Sequence, residues 1–177
     1  MQISTQTGYS FARMPEPKDK RLDDYYRTRL IRDQRSVHAN IDAMSPQYGV
    51  HAGSTILDLA CGCGWNTYNL AHRYPDARII GLDLDPQCIS VARDMHPGIN
   101  NLEFRVADAN HLSREFNGDV DWIVMTDALH HFDNGEVGSL AKQIYFALRG
   151  GGQFSFDDLN REAAYDVMGD NIYWYTL

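Results

Sequence analysis

The sequence has few cysteines, and their arrangement excludes a disulfide-stapled fold. Cys61, Cys63 and Cys88 are the only three in 177 residues, and an odd number without framework spacing suits a reducing compartment. A Cys-x-Cys pair in a tight loop, with no nearby pair of Cys or His residues, is also poor zinc spacing. We therefore expect no metal site, and we interpret Cys61 and Cys63 as small residues that fill a loop.

Long apolar runs are absent as well. No stretch is long enough to cross a bilayer, and residues 1–17 lack the apolar centre of a signal peptide. The hydrophobic fraction of 44% and the charged fraction of 23% are ordinary for a globular protein. These features predict one soluble domain with a single core, located in the cytoplasm and without a membrane partner.

Basic residues are scarce beyond the first 35 positions. The formal net charge is −8; residues 1–35 carry eight Lys and Arg against five Asp and Glu, whereas the remainder carries eight against nineteen. An acidic body argues against a nucleic-acid partner. The basic segment either forms a solvated helix or contacts an acidic substrate or partner, and its alternating charge signs favour the solvated helix.

Strand and helix patterns alternate along the rest of the chain. Pro86 suits the first turn of a helix, and Gly150 with Gly151 suits a helix stop. The alternation predicts an α/β fold, a doubly wound parallel sheet with helices on both faces and a ligand at the carboxyl ends of its strands. Strands are predicted near residue 56 and at residues 78–82, 102–107, 122–125 and 153–156, and helices at residues 66–73, 86–95, near 111 and at 136–148.

Residues 56–70, ILDLACGCGWNTYNL, join a strand to a helix through a loop of small residues. Ala60, Gly62 and Gly64 have little or no side chain, so a ligand can approach the main chain and the turn can adopt left-handed φ values. The helix that follows directs its first backbone N–H groups at such a ligand. The loop therefore predicts a binding site for a nucleotide-like molecule.

A dinucleotide-binding loop is the main alternative. Its fingerprint is Gly-x-Gly-x-x-Gly with an acidic residue about 20 positions further on. Gly62 and Gly64 begin this pattern, and Asp83 lies at an acceptable distance. Thr67 occupies the third glycine position, where close helix packing disfavours a branched side chain. This departure weakens the dinucleotide interpretation.

Four segments in order carry a resemblance to a known family. They are DLACGCG at residues 58–64, RIIGLDLDP at 78–86, FRVADANHL at 104–112 and VDWIVMTDALHHF at 120–132. Together with LRGGGQFSFDD at residues 148–158, they resemble the class I S-adenosylmethionine-dependent methyltransferases. The resemblance implies a Rossmann-like fold and S-adenosylmethionine as the cofactor, with S-adenosylhomocysteine as its product. The implied cofactor-binding residues are Asp58, Ala60, Cys61, Gly62, Gly64, Asp83, Leu84, Asp108, Ala109, Thr126 and Asp127.

Two carboxylates have specific tasks in that resemblance. Asp83 matches the acidic residue that binds both ribose hydroxyls, since a carboxylate at a strand end can accept charge-assisted hydrogen bonds from them. Asp108 matches the residue that faces the adenine amino group, and Ala109 matches a backbone contact to the ring. Taken alone, Asp83 is better interpreted as a solvated strand end and Asp108 as a helix N-cap. The order of the motifs favours the ligand roles.

The activity implied by the resemblance is methyl transfer to an O, N, S or C atom of a small-molecule acceptor. The sulfonium carries its own leaving group, so the in-line displacement needs alignment above all. Where the nucleophile must lose a proton, His131 and His130 after the fourth strand are the candidate bases, and His131 is preferred. A structural role for both histidines, with one ring hydrogen-bonded inside the loop, is about equally supported.

The chain divides into three regions. We expect an N-terminal arm and helical cap at residues 1–50, the cofactor-binding core at 51–158 and the start of an incomplete C-terminal region at 159–177. Residues 18–44 have helical periodicity, and Tyr25 and Tyr26 there either cover the cofactor or belong to the core. Few residues follow the fifth strand, so we expect strands six and seven of the family to be absent.

That expectation leaves other functions open. An uncovered sheet edge invites association, which predicts a homodimer through that edge. A noncatalytic or truncated S-adenosylmethionine-binding module would hold the ligand and associate with a partner chain. An enzyme of the same fold could also catalyse another reaction, such as a cofactor-assisted cyclisation, since a fold does not fix a function.

Overall fold

The computed structural model describes residues 44–46, 49–158 and 175–176. The helix predicted at residues 18–44 therefore lies outside the described residues apart from its last position, and so do Tyr25, Tyr26 and most of residues 159–177. In the described ranges, no helix has the length and apolar character needed to cross a membrane.

Strands and helices alternate in chain order, as the sequence predicts. The strands are β1 (Thr55–Leu59), β2 (Arg78–Asp83), β3 (Leu102–Val106), β4 (Val120–Thr126), β5 (Leu148–Asp157) and β6 (Tyr175–Thr176). The α-helices are α1 (Trp65–Arg73), α2 (Pro86–Met95), α3 (Leu112–Glu115) and α4 (Asn134–Ala147), and two 3₁₀ turns span Ala109–His111 and Leu129–His131.

The strands form one sheet in the order β3-β2-β1-β4-β5-β6. The first five strands are parallel, and the order reverses between β1 and β4, where open α/β sheets bind their ligands. The predicted doubly wound parallel sheet is thereby confirmed. Within the described residues, only the short antiparallel β6 is added beyond β5, and it covers Ser155 and Phe156 of that edge. A homodimer through the rest of the edge stays a prediction.

Both faces of the sheet are covered, because successive residues of the central strands point to opposite faces and both sets are apolar. Ile56 and Trp122 pack in one cluster with residues of α1, whereas Leu57 and Ile123 pack in another with residues of α4. Buried parallel strands read as nearly continuous apolar runs for this reason. Trp122 is fully buried, and its Nε1 donates a hydrogen bond to Ser155 Oγ at 3.1 Å.

The boundaries of two elements differ from the sequence prediction. Helix α4 begins two residues early because Asp133 and Glu136 form a capping box at its start. The glycines expected to stop that helix lie instead within β5, where Val120 pairs with Leu148 and the next pair is Trp122 with Gln153. Residues 149–152 are therefore a bulge in β5 and not a helix stop.

Asn101 fastens the turn after α1 to the start of β3. Its Nδ2 donates to the carbonyl oxygens of Ala71, Tyr74 and Ala77 at 3.0, 3.1 and 3.1 Å. One amide group thus bonds to carbonyl oxygens in the last turn of α1, at its C-cap and next to β2, with one of its two hydrogens shared.

The substitution Asn101→Asp is expected to destabilise the fold by about 1–3 kcal/mol. It places a carboxylate against three carbonyl oxygens and removes their donor. Urea unfolding measures the loss. The matched control is Asn117→Asp in the exposed turn before β4, which should change the free energy of unfolding by less than about 0.5 kcal/mol. Equal losses in the two variants would show that the Asn101 contacts do not stabilise the turn.

Candidate functional site

The glycine loop, residues 60–64, lies between β1 and α1 at the carboxyl edge of the sheet. Ala60, Gly62 and Gly64 have φ values of 59°, 56° and 83°, so the chain passes three times through the left-handed region that favours small residues. The Cys61 N–H donates to the Leu82 carbonyl at 2.9 Å, which fixes the loop beside the end of β2. The turn predicted from the small residues is therefore present.

Asp83 lies at the end of β2, partly exposed and directly beside this loop. Its Oδ2 accepts a hydrogen bond from the Gly62 N–H at 2.8 Å, and its Oδ1 accepts one from the Asp85 N–H at 2.9 Å. A carboxylate has about four acceptor positions, so both oxygens are oriented while acceptor capacity remains. The structure thus brings Asp83 and the glycine loop together, and their role in binding stays a prediction.

Asp58 lies beneath the loop. Its side chain is 1% exposed, and its Oδ2 accepts a hydrogen bond from Thr67 Oγ1 at 2.6 Å. Burial raises the pKa of Asp58 to about 7; the Thr67 hydrogen bond opposes that rise, and the negative charge of Asp83 adds to it. Its position ties β1 to the first turn of α1 and so shapes the loop, and the cofactor-binding role of Asp58 stays a prediction.

The substitution Asp58→Asn is expected to flatten the pH dependence of stability. The folded chain holds the Asp58 proton up to about pH 7, whereas the unfolded chain loses it near the ordinary pKa of 3.8. As the pH rises between these values, the unfolded state releases a proton that the folded state keeps. The free energy of unfolding therefore falls, by about 1.4 kcal/mol for each unit of pKa difference.

Asparagine does not titrate and can still accept the Thr67 hydrogen bond, so this fall should be missing from the variant. Urea unfolding of both proteins across the same pH range measures the difference. Parallel pH profiles would contradict the assignment of a raised pKa to Asp58.

Two glycines of the region serve different purposes. A Cβ atom at Gly64 would lie 2.4 Å from two ring atoms of Phe104 and 3.1 Å from Ala92 Cβ, whereas a Cβ atom at Gly62 would meet nothing within 4 Å. Gly64 therefore permits the close packing of α1 against β3, and Gly62 keeps the space above the loop open.

Gly64→Ala is expected to lower stability more than Gly62→Ala. Both variants place a side chain on left-handed backbone, which costs about 1–2 kcal/mol. Only Gly64→Ala also forces Phe104 to move, and overpacking of this kind adds about 1–3 kcal/mol. Chemical unfolding of the pair measures the difference, and a Gly62→Ala variant as unstable as Gly64→Ala would disprove the packing argument.

Asp108 follows β3 and caps the 3₁₀ turn. Its Oδ1 accepts a hydrogen bond from the Asn110 N–H at 2.9 Å, and its Oδ2 lies 3.4 Å from His111 Nδ1. The N-cap interpretation is therefore correct. The carboxylate and Ala109 are both partly exposed at the same edge of the sheet as Asp83, and their contact with adenine stays a prediction.

Apolar side chains border Asp83 on two sides. Leu84 is 69% exposed and Val106 is 49% exposed; Leu84 follows Asp83 in the chain, and Val106 is its partner in β3. Exposed apolar groups beside a carboxylate suit a ligand with a flat ring and polar substituents. The sequence analysis identified Leu84 and missed Val106, whose one signal was its place at a strand end.

Trp65 and His96 pack close to the glycine loop. Trp65 directly follows Gly64 and is 8% exposed. Its ring stacks on that of Tyr68 with a centroid separation of 5.8 Å, and its centroid lies 6.4 Å from that of His96. Burial lowers the pKa of His96 to about 4, although a hydrogen bond with the backbone of Cys63 raises it. His96 is therefore neutral near pH 7 and supports the loop from the side of α2.

Thr126 and Asp127 lie at the end of β4, next to the start of α1. Thr126 Oγ1 accepts a short hydrogen bond from Asn66 Nδ2. Asp127 has a φ value of 50°, and its N–H donates to the Asp157 carbonyl at 2.7 Å. The end of β4 is thus joined to α1 on one side and to β5 on the other.

A carboxylate holds one of the two candidate histidines. His130 Nδ1 lies 2.7 Å from Asp158 Oδ1, and the His130 backbone N–H donates to Asp158 Oδ2 at 3.0 Å. His131 is exposed, with its ring centroid 4.1 Å from that of His130. Asp158 was not identified from the sequence, because 28 residues separate it from His130 and only the pairing of β4 with β5 brings the two together.

Asp127, His130 and Asp158 are the one group of three potential metal-binding side chains among the described residues, with donor atoms within 4.8 Å of one another. Two ligands of one ion with bonds of about 2.0–2.1 Å lie roughly 3.0–3.4 Å apart. The separation of 2.7 Å between His130 Nδ1 and Asp158 Oδ1 is shorter than this spacing and is that of a hydrogen bond. Burial and two nearby carboxyl groups raise the pKa of the Cys61 thiol, which disfavours a metal-binding thiolate.

The motifs around this site recur in a known family. Residues 56–152, more than half of the chain, match the family described as a methyltransferase domain. The chain belongs to this family. The resemblance to class I S-adenosylmethionine-dependent methyltransferases is thereby confirmed.

Relatives of this methyltransferase domain differ in their substrates. A malonyl-[acyl-carrier protein] O-methyltransferase of Acetivibrio thermocellus is 32% identical over 101 residues, which cover 57% of this chain and 34% of the relative. A ubiquinone biosynthesis O-methyltransferase of Acinetobacter baumannii is 26% identical over 112 residues, which cover 62% of this chain and 46% of the relative. The chain thus matches between a third and a half of these relatives.

A solved structure shares the fold of this methyltransferase domain. The TehB-like SAM-dependent methyltransferase of Corynebacterium glutamicum superposes with a TM-score of 0.62 at 22% identity, over 81% of this chain and 76% of that chain. The comparison supports the Rossmann-like architecture described above.

Proposed function

We propose that residues 51–158 bind S-adenosylmethionine at the carboxyl ends of β1 to β4 and that the chain methylates a small molecule. The observation that carries this proposal is the Asp83 carboxylate, which the Gly62 N–H holds over the glycine loop at 2.8 Å. A carboxylate fixed in this position suits the vicinal hydroxyls of a ribose.

The open backbone at Gly62 also fits this cofactor. A Cβ atom there would meet nothing within 4 Å, so the space above the loop is available to a ligand. Leu84 and Val106 offer apolar surface beside Asp83 for the adenine ring, and Asp108 offers carboxylate oxygens for its amino group. When bound, S-adenosylmethionine would supply a methyl group activated by its sulfonium.

The packing of Thr67 favours this cofactor over a dinucleotide. Thr67 is fully buried and donates to Asp58, so the branched side chain at the third glycine position is part of the fold. Gly81 on β2 leaves space for the Thr67 side chain, because a Cβ atom at Gly81 would lie 2.9 Å from Thr67 Oγ1 and 2.7 Å from Phe104. The helix is thus packed closely without the third glycine of the dinucleotide fingerprint.

Alignment is the main catalytic contribution we assign to the chain. Holding an acceptor in line with the methyl group can lower a barrier by roughly 7–11 kcal/mol in well-oriented cases. In this proposal the ends of β4 and β5, at the same edge of the sheet as the glycine loop, orient the acceptor, and Thr126 and Asp127 contact the cofactor.

Calorimetric titration of the whole chain with S-adenosylmethionine should give binding that Asp83→Asn weakens about 10- to 100-fold. Asparagine keeps an acceptor for the Gly62 N–H but loses the charge, and hydrogen bonds to a charged group contribute about 1.5–3 kcal/mol. The matched control is Asp76→Asn, in the exposed turn before β2 at the opposite edge of the sheet. Tighter binding of NAD than of S-adenosylmethionine, or equal affinity of the two variants, would overturn the proposal.

Mass spectrometry of incubated acceptors separates the remaining alternatives. A gain of one methyl group means transfer, whereas an altered product of unchanged mass means rearrangement. Binding without turnover on oxygen, nitrogen and sulfur acceptors would favour a noncatalytic binding module.

A further inference from the structure

We propose that Asp58 responds to the charge of the cofactor and determines the preference of the chain for S-adenosylmethionine over S-adenosylhomocysteine. In the free chain the Asp58 carboxyl group holds a proton. It gives this proton to solvent when S-adenosylmethionine binds over the glycine loop, and it largely keeps the proton when S-adenosylhomocysteine binds. The inference rests on the proposed cofactor binding and adds a proton exchange and its pH dependence to it.

Asp58 lies in the centre of the sheet, directly beneath the glycine loop. It pairs with Gly81 of β2 on one side and with Val124 of β4 on the other, and it is 1% exposed. Only Leu59 separates it from the first residue of the loop. Burial keeps water away from the carboxyl group, so a charge above the loop acts on it with little screening.

No cation faces Asp58 among the described residues. The ionisable groups that face it there are the Cys61 thiol in the loop and the Asp83 carboxylate at the end of β2. On the other sides, α1 contributes the neutral Thr67 and β4 the apolar Val124. A buried carboxylate without a cation is costly, so such a group holds its proton instead. Burial, with the added charge of Asp83, accordingly raises the pKa of Asp58 to about 7.

The surroundings also allow the proton to leave. Thr67 Oγ1 donates a hydrogen bond to Asp58 Oδ2 at 2.6 Å, and a donor of this kind stabilises the ionised carboxylate. The Cys61 thiol stays neutral, because burial and the two carboxyl groups raise its pKa. Asp58 is therefore a group beneath the loop whose charge can change near neutral pH.

The cofactor and its product differ in charge. S-adenosylmethionine carries a sulfonium and an ammonium group against one carboxylate, whereas S-adenosylhomocysteine has a neutral thioether in place of the sulfonium. A nearby cation lowers the pKa of a carboxyl group by about 1–3 units. The Asp58 O–H bond therefore breaks on binding, and its proton goes to the buffer. The bond forms again once methyl transfer removes the positive charge, so the proton is recovered and no electron is transferred.

This exchange makes cofactor affinity depend on pH. Because binding releases a proton, the affinity for S-adenosylmethionine rises with pH and levels off above the pKa of about 7 that Asp58 has in the free chain. As the pH falls below that value, the affinity decreases until Asp58 keeps its proton in the complex as well. The total change is about tenfold for each unit by which the cation lowers the pKa. The affinity for S-adenosylhomocysteine should change less, so the preference for the cofactor decreases in acid.

Calorimetry of the whole chain at about pH 6.5 counts the protons that are released. Titrations in buffers of different ionisation enthalpy should give binding enthalpies that vary with the buffer, with a slope equal to the number of protons. A pKa lowered by 1–3 units from about 7 implies a release of roughly 0.5–0.75 proton with S-adenosylmethionine. S-adenosylhomocysteine should release less than half of that. Asp58→Asn should bind without the exchange, and the matched control Asp119→Asn, in the exposed turn before β4, should keep it.

Infrared spectroscopy tests the same step without a variant. The wild-type chain should show the C=O stretch of a protonated carboxylic acid. This band should weaken when S-adenosylmethionine is added and persist when S-adenosylhomocysteine is added. The carboxylates of both ligands are ionised at this pH and do not contribute to the band. A band that both ligands leave unchanged would refute the inference.

Three calorimetric results would also refute it. They are a binding enthalpy that does not vary with the buffer, a proton release that persists in Asp58→Asn, and equal releases with the two ligands. In each of these cases the cofactor still binds, so the proposed function stands. Failure of both ligands to bind the folded chain at every pH would instead count against the proposed function, and the inference would fall with it.

Discussion

The hydrogen bond from Thr67 to buried Asp58 is the contact on which the rest of the site depends. It joins β1 to α1 across the glycine loop, so both ends of the loop are fixed in the core. Gly64 can then lie against Phe104, and Gly62 can reach the Asp83 carboxylate. A loop held in this way presents its backbone to a ligand without a large ordering cost at the moment of binding.

The elements predicted most closely from the sequence are those with local causes. Helix α2 was predicted at its observed bounds because Pro86 suits the first turn of a helix. The structure adds a local cap, since the Asp85 side chain accepts a hydrogen bond from the Gln87 N–H. The parallel sheet follows from the same logic, since short apolar runs alternating with helices leave few arrangements other than a parallel sheet. The juxtaposition of Asp83 with the glycine loop was likewise predictable, because both lie at carboxyl ends of strands that neighbour each other.

The features that were missed all depend on contacts between distant segments. Thr67 departed from a glycine pattern, and only the structure shows that Asp58 and Gly81 accommodate it. The glycines at residues 150–152 follow a helix, but the register of β5 with β4 makes them a bulge. Adjacent histidines at residues 130 and 131 are equivalent in a sequence pattern, and the carboxylate that distinguishes them lies 28 residues away.

The two described tryptophans lie in very different surroundings. Trp122 is in the centre of the sheet with its indole N–H bonded to Ser155, whereas Trp65 immediately follows the glycine loop and lies near Tyr68 and His96. The emission of Trp65 should therefore respond to changes in the loop more strongly than that of Trp122. The chain thus contains its own optical reporter, and fluorescence can follow events at the loop without an added label.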